Sequence, residues 1–276
     1  MSNWFTENFL RFWVNSLLLP NLQLVIISQV GLPIHERTIM SSADDKTSDN
    51  AAAPIPLDLV QGSKEWYAAR CGKITASCFG KLAGSARSGG GFSQTAMTYM
   101  TQVLAERITG RPQDEINSKH IEHGNKHEPT ARQLYQWHMT ERKELKQVGF
   151  VAHPTLKNCG GSPDCLVGDD GVLEIKCPYT IHTHLANIEN DGTGDKDYIW
   201  QMQGNLWITD RKWCDFVSFH PYVPKELQFH VVRCVRDEDV IDDIEVRVTR
   251  ALEQIAKRLE KIQSRVRLSV GESDGK

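Results

Sequence analysis

No two cysteines in this sequence stand at the spacing that a zinc finger or ribbon needs. The seven, Cys71, Cys78, Cys159, Cys165, Cys177, Cys214 and Cys234, include no Cys-x-x-Cys pair, so a thiolate zinc site is not expected. Their odd number and irregular spacing favour reduced thiols in a cytosolic protein over a disulfide framework. A basic excess is also missing. The 32 Lys and Arg are outnumbered by 35 Asp and Glu, for a net charge of -3. Composition therefore gives no sign of a small basic DNA-binding module, although one basic channel on an acidic body remains open to the chain, because polyanion binding depends on local patches. An uninterrupted apolar run is absent too. The most apolar stretch, Phe9 to Ile34, is broken by Arg11, Asn15, Pro20, Asn21 and Gln23, whereas a spanning helix wants about 20 largely apolar residues. Met1 to Asn8 carries Glu7 and no Lys or Arg, which is not the basic start of a secretory signal. No stable membrane association is expected, and Met40 is read as the working start.

What is present divides into three parts. Residues 1–56 read as a non-core extension and linker, since Ser41 to Pro56 is rich in Ser, Asp, Ala and Pro and carries no core of its own. Residues 57–270 read as one continuous fold without internal repeats, and 271–276 as a flexible tail. Within the fold, a helix ends at Arg70 and a second begins near Thr75 or Ser77, either of which can cap it. Gly84 to Gly91 is a glycine-rich loop. Gln94 to Thr109 is a helix stopped by Gly110, and Ser118 to Met139 is another with a break near Gly124. Three strands follow, Lys146–Ala152, Asn158–Val167 and Gly171–Cys177, the last two joined by the Gly168-Asp169-Asp170-Gly171 turn. Helices from Ile181 and Tyr198, strands Trp213–His220 and Glu226–Val232, and a long final helix complete the chain. In that helix Ile241, Ile244, Val248, Leu252, Ile255, Leu259, Ile262 and Val266 recur at spacings of three and four, which reads as a face packed on the sheet. The order predicts an α/β fold with a mixed sheet flanked by helices.

The chemistry concentrates in Gly161-Ser162-Pro163-Asp164 and Glu174-Ile175-Lys176. Side chains alternate along a strand, so Glu174 and Lys176 share a face. Asp164 and Glu174, with the Ile175 backbone carbonyl, offer the hard oxygen ligands that magnesium prefers. Lys176 is placed to orient a water or to stabilise charge on a phosphate. Two ions about 3.5–4 Å apart would stabilise the attacking and leaving oxygens of a displacement at phosphorus. Taken alone, a Glu-x-Lys pair is more often a surface ion pair. Here Leu173 and Ile175 make the strand partly buried, where an unpaired charge is expensive. Glu128 adds a further acidic group, and its bland reading is an i,i+4 salt bridge to Arg132. His123 and His127 stand at the i,i+4 spacing of zinc ligands, but no third soft ligand follows at a sensible spacing, so zinc is not expected.

The assembled motifs are Gln61-Gly62-Ser63-x-x-Trp66, Arg70-x-Gly72-x-Ile74-Thr75-Ala76-Ser77, Arg87-Ser88-Gly89 and Gly124-x-x-x-Glu128-x-x-Ala131-Arg132. They continue through Ser162-Pro163-Asp164, Glu174-x-Lys176-Cys177-Pro178 and Gln201-x-Gln203-x-x-x-Trp207. In this order they resemble the PD-(D/E)XK nuclease superfamily, and within it the phage lambda exonuclease and YqaJ-type viral recombinase family. The resemblance implies a restriction-endonuclease-like core and a magnesium-dependent exonuclease, with manganese able to substitute. Such an enzyme degrades one strand of duplex DNA from a 5′ end, in the 5′-to-3′ direction. By the same resemblance Asp164 and Glu174 are metal ligands, Lys176 is catalytic, and Glu128 and Gln201 are further active-site groups. Arg70, Ser77 and Arg87 match the family's pocket for a terminal 5′-phosphate, and their chemistry suits it. The resemblance also implies a single-strand-annealing recombinase as partner, a homotrimer and a cytoplasmic setting. No iron–sulfur cluster is expected, because Cys234 stands alone near the C-terminal end. An endonuclease or repair nuclease of the same fold, and a non-catalytic binding module, remain the competing readings.

Overall fold

The computed structural model describes residues 59–86, 89–112, 119–139, 143–192 and 194–271, and of 267–271 the backbone alone. These belong to the unit 52–276 of the two into which the chain divides; the other, 1–51, lies outside them. The extension and most of the tail read from the sequence therefore lie outside the described residues, as does Arg87.

Helix α1 (Lys64–Arg70) starts where Ser63 Oγ accepts a hydrogen bond from the Trp66 N–H at 3.1 Å. A two-residue strand β1 (Ile74–Thr75) leads into a 3₁₀ helix, Ala76–Leu82, where the sequence suggested an α-helix. Ala76, Phe79 and Leu82 are its buried residues. They recur every third position, which suits three residues per turn and not 3.6. Helix α2 (Gln94–Thr109) has the bounds read from the sequence, with Ser93 capping its start and Gly110 at φ 64° closing its end. Helix α3 (Lys119–His138) runs through both Gly124 and Pro129, so the break expected near Gly124 does not occur. One glycine costs a helix only about 1 kcal/mol relative to alanine, and burial of Ala131 and Tyr135 on the same helix opposes it.

The strands correct the sequence reading. Lys146–Ala152 and Asn158–Val167 each divide between two sheets. The strands are β2 (Leu145–Lys146), β3 (Val151–Ala152), β4 (Cys159–Gly161), β5 (Cys165–Val167) and β6 (Gly171–Lys176). After helices α4 (Ile181–Glu189) and α5 (Lys196–Thr209) come β7 (Trp213–Phe219), a 3₁₀ turn at Lys225–Leu227 and β8 (Phe229–Val235). One sheet has the order β1-β4-β3 and the other β2-β5-β6-β7-β8. The chain leaves the first sheet and enters the second at Ser162-Pro163-Asp164, where proline has no N–H to continue a ladder. The larger sheet is mixed: β6 pairs in parallel with β7, and β5–β6 and β7–β8 are antiparallel. The last strand begins later than the expected Glu226, because Pro224 opens the 3₁₀ turn and Gln228 Nε2 donates to the Pro221 and Val223 carbonyls.

The two faces of the large sheet are covered differently. Val172, Cys214 and Phe216 pack on Met202 and Leu206 of α5. Leu173, Ile175, Val217 and Phe219 pack on Ala131 and Tyr135 of α3. The long helix α6 (Glu238–Gly271) buries Ile241, Ile244, Val248, Ala251 and Ile255. It packs mainly on α2, α5 and the first 3₁₀ helix, rather than on the sheet as its periodicity alone suggests. Among the described residues no helix is long and apolar enough to cross a membrane.

Helix α5 fits closely against the first 3₁₀ helix, since a Cβ on Gly204 would lie 2.4 and 2.7 Å from two atoms of the buried Phe79 ring. Gly204→Ala gains up to about 1 kcal/mol of helix propensity, but overpacking outweighs it. A net loss of roughly 1–3 kcal/mol is expected, read as a lower denaturant midpoint at unchanged slope.

Candidate active site

The break between β4 and β5 delivers Asp164 to the edge of β6. Its N–H donates to the Leu173 carbonyl at 3.1 Å, and its Oδ2 accepts from the Ile175 N–H at 2.6 Å. The N–H and C=O of one strand residue project to the same edge, so the Ile175 carbonyl points to the side where Asp164 sits. Gln61 holds the break in place through Nε2, which donates to the Pro163 and Val148 carbonyls, both at 3.0 Å.

Alternation along β6 places Glu174 and Lys176 on one face as expected, with Lys176 Nζ donating to Glu174 Oε1 at 2.7 Å. Gln201 reaches the same point from α5. Its Nε2 donates to Glu174 Oε1 and its Oε1 accepts from Lys176 Nζ at 3.0 Å. Glu174 is only 3% exposed. Burial pulls the Lys176 ammonium down, but Glu174 and Asp164 outweigh it and hold the pKa above its ordinary value. The lysine is thus a resident cation, with its ammonium also 5.2 Å from the centre of the Tyr198 ring. The neighbouring Cys177 thiol is pushed up to about 12 by burial and by Glu128 and Asp164, so it stays protonated and inert at neutral pH.

Glu128 makes the i,i+4 ion pair with Arg132 that the bland reading foresaw, yet it also belongs to this group. Burial raises the Asp164 carboxyl well above the usual range, and the charges of Glu174 and then Glu128 raise it further, against Lys176 and the Ile175 N–H. Among the described residues no three His, Cys, Asp or Glu side chains form a ready-made metal cage. Magnesium does not require one, since it keeps several waters and takes only one or two carboxylates from a protein. The donors gathered here are all hard oxygens, and crowded carboxylates favour a cation between them. His123 and His127 lie with ring centres 4.5 Å apart, and His220 approaches His123 to 5.6 Å.

One residue of this centre, Asn205, was missed by the sequence reading, and another, Ser162, stood in its motif without a role. Asn205 Nδ2 donates to Glu174 Oε2 at 3.1 Å; its signal was the four-residue spacing from Gln201, one turn along the same helix face. Ser162 Oγ accepts from Arg70 Nη1 at 2.9 Å and from Trp66 Nε1 at 3.1 Å. Gln203, by contrast, is a brace, joining α5 to the Val235 carbonyl and the Asp237 N–H.

The second constellation gathers around Arg70. Its Nη2 donates to Ser77 Oγ at 3.0 Å and to Thr75 Oγ1 at 3.3 Å, and the guanidinium lies 4.3 Å from the Trp66 ring centre. Thr75 occupies the cap position of the 3₁₀ helix without capping it; its hydroxyl serves Arg70 instead. A cavity of about 160 Å³ is lined by Arg70, Thr75 and two lysines the sequence reading passed over, Lys73 and Lys81. Arg87, expected in the same pocket, lies outside the described residues.

The crowding of Asp164 makes a prediction. In metal-free protein the neutral amide of Asp164→Asn should raise the melting temperature, because it relieves repulsion from Glu174 and Glu128 while an amide oxygen can still accept from the Ile175 N–H. A lower melting temperature would contradict this account of the site.

The model of the YqaJ-like viral recombinase domain matches residues 65–212. An alkaline exonuclease from Laribacter hongkongensis, LHK-Exo, is 36% identical, with a TM-score of 0.66 over 74% of this chain and 98% of that one. Its complex with dAMP aligns with a TM-score of 0.67. A phage-related exonuclease from Haemophilus somnus shares the fold at 22% identity and a TM-score of 0.55, over 69% of this chain and 96% of that one. An uncharacterized protein of Acanthamoeba polyphaga mimivirus is 25% identical over 174 residues, 57% of this chain; the match spans only 29% of that relative's length. With the family's domain model matching more than half of this chain and these residues converging on one site, the chain belongs to the YqaJ-like viral recombinase domain family.

Proposed function

We propose that this protein is a metal-dependent exonuclease of phage type. In this reading it degrades one strand of linear double-stranded DNA in the 5′-to-3′ direction from a phosphorylated 5′ end and leaves 3′ single strands for recombination. One observation carries the proposal: Glu174, Lys176 and Gln201 form one hydrogen-bonded centre, Asp164 is held beside it on the Ile175 N–H, and the Ser162-Pro163-Asp164 segment is tied directly to Arg70. The 36% identity to an alkaline exonuclease supports the reaction class.

Asp164, Glu174 and the Ile175 carbonyl would hold magnesium, in two ions, with manganese able to replace it. The metal would supply Lewis-acid stabilisation of charge on the phosphate. The chain's own residues have separate tasks. Lys176, kept cationic by its carboxylates, donates to the negative charge that gathers at the scissile phosphate. Gln201 has an amide that both accepts and donates, and so can hold the attacking water beside Lys176. Glu128, on α3, adds a further acceptor whose charge reaches Asp164. Arg70 presents a guanidinium fork to the terminal phosphate, with Ser77 and Arg87 as its companions. Ser162 touches Arg70 and lies two residues from Asp164, so an end seated in the pocket is registered against the site of cleavage.

The remaining parts of the proposal follow from the same reading. The catalytic domain is 57–270, the working assembly is a homotrimer, the partner is a single-strand-annealing recombinase, and the setting is cytoplasmic.

Lys176→Ala is expected to abolish nucleotide release from linear duplex, by at least about 10²-fold on the scale of a lost transition-state donor, while duplex binding survives. Full release by this variant would refute the assignment. End selection gives an independent measurement. Wild-type protein should prefer 5′-phosphate over 5′-hydroxyl ends and leave closed circular DNA intact. Arg70→Lys, which loses the bidentate fork, should narrow that preference; cutting of the circle would point to an endonuclease instead.

A further inference from the structure

The donors on Glu174 are unevenly shared. Oε1 accepts from Lys176 Nζ and Gln201 Nε2, which occupies both of its lone-pair sites. Oε2 accepts from Asn205 Nδ2 at 3.1 Å, which leaves one site open. Of the two oxygens, Oε2 is therefore the one free to meet a cation, and Asn205 determines where it points.

Asn205 is an odd residue for its surroundings. It is 1% exposed and lies on a helix whose neighbours Met202 and Leu206 are core residues. Its Oδ1 is buried without a hydrogen-bond partner, which costs free energy that an apolar side chain of the same shape would not incur. That oxygen sits 2.4 Å from where a Cβ on Gly161 would be, so the space it fills exists because residue 161 has no side chain. Gly161 ends β4, three residues before Asp164. The amide is thus wedged between the strand that carries Glu174 and the strand that runs into Asp164. The amide leaves its own oxygen unsatisfied, so its use lies at the other end, where Nδ2 meets the buried Glu174 carboxylate.

We infer that Asn205 is a positioning residue of the metal centre, holding Glu174 with Oε2 open toward the cation and spacing Glu174 from the strand that delivers Asp164. This rests on the reading of Asp164 and Glu174 as metal ligands. Partners of metal-binding groups change metal affinity by about 10–100-fold when removed, and that is the effect expected here.

The experiment measures Mn²⁺ binding to full-length, metal-free protein by electron paramagnetic resonance, with thermal unfolding of the same samples. Asn205→Leu should bind Mn²⁺ at least about tenfold more weakly; it also takes a donor from the buried Glu174 carboxylate, so its metal-free melting temperature should fall as well. Asn205→Ala, which creates no apolar contact, should show the same loss of affinity and serves if the leucine variant does not fold. Wild-type Mn²⁺ affinity in either folded variant overturns the inference. So does a fall in melting temperature with affinity unchanged, which marks a purely structural residue. Glu174→Gln separates the two layers of argument. If it too leaves Mn²⁺ binding unchanged, the metal-centre reading fails; if it weakens binding and the Asn205 variants do not, only the role of Asn205 fails.

Discussion

A carboxylate almost sealed from water, in the middle of a mixed sheet, sets the terms for the rest of this structure. Glu174 sits on β6, between antiparallel β5 and parallel β7. A charge at such a position is tolerated only when donors surround it, and Lys176, Gln201 and Asn205 fill that role. Two of the three come from α5, so that helix must pack polar groups against the strand while Met202 and Leu206 bury its apolar ones. The closeness of Gly204 of the same helix to Phe79 shows how little freedom α5 has to move.

The second constraint is the change of sheet at Ser162-Pro163-Asp164. Proline stops the ladder, and the chain passes from β4 to β5 with Asp164 turned onto the edge of β6. Because Ser162 accepts hydrogen bonds from both Arg70 and Trp66, α1 is anchored to the same crossing. Two constellations that are far apart in sequence thus share one short segment of backbone. That connection ties the Arg70 pocket to the carboxylates through a short stretch of backbone.

The centre also shows where stability yields to chemistry. Asp164 is crowded by two other carboxylates, Asn205 keeps a buried oxygen unpaired, and Pro129 interrupts the hydrogen bonding of α3 directly after Glu128. Features that work against local stability cluster where a functional site is expected. The surrounding core, from Phe79 and Met100 to Ile244 and Ile255, is apolar and closely packed, and it holds these groups in place.

By itself the sequence determined what local rules control. Capping and glycine chemistry bounded α2, the alternation of β6 put Glu174 and Lys176 on one face, and the order of elements specified a mixed α/β sheet. The motifs, taken in order, placed Asp164, Glu174, Lys176, Gln201, Arg70 and Ser77 in two groups that the fold brings together. Only the tertiary structure decided the rest. It chose a 3₁₀ helix at Ala76–Leu82, split two expected strands between sheets, carried α3 through Gly124, laid α6 on helices, and gave Asn205, Ser162 and Gln203 their partners. The physical reason is range. A cap or an alternating strand is settled within a few residues, whereas the partner of a buried amide lies tens of residues away and is chosen by packing.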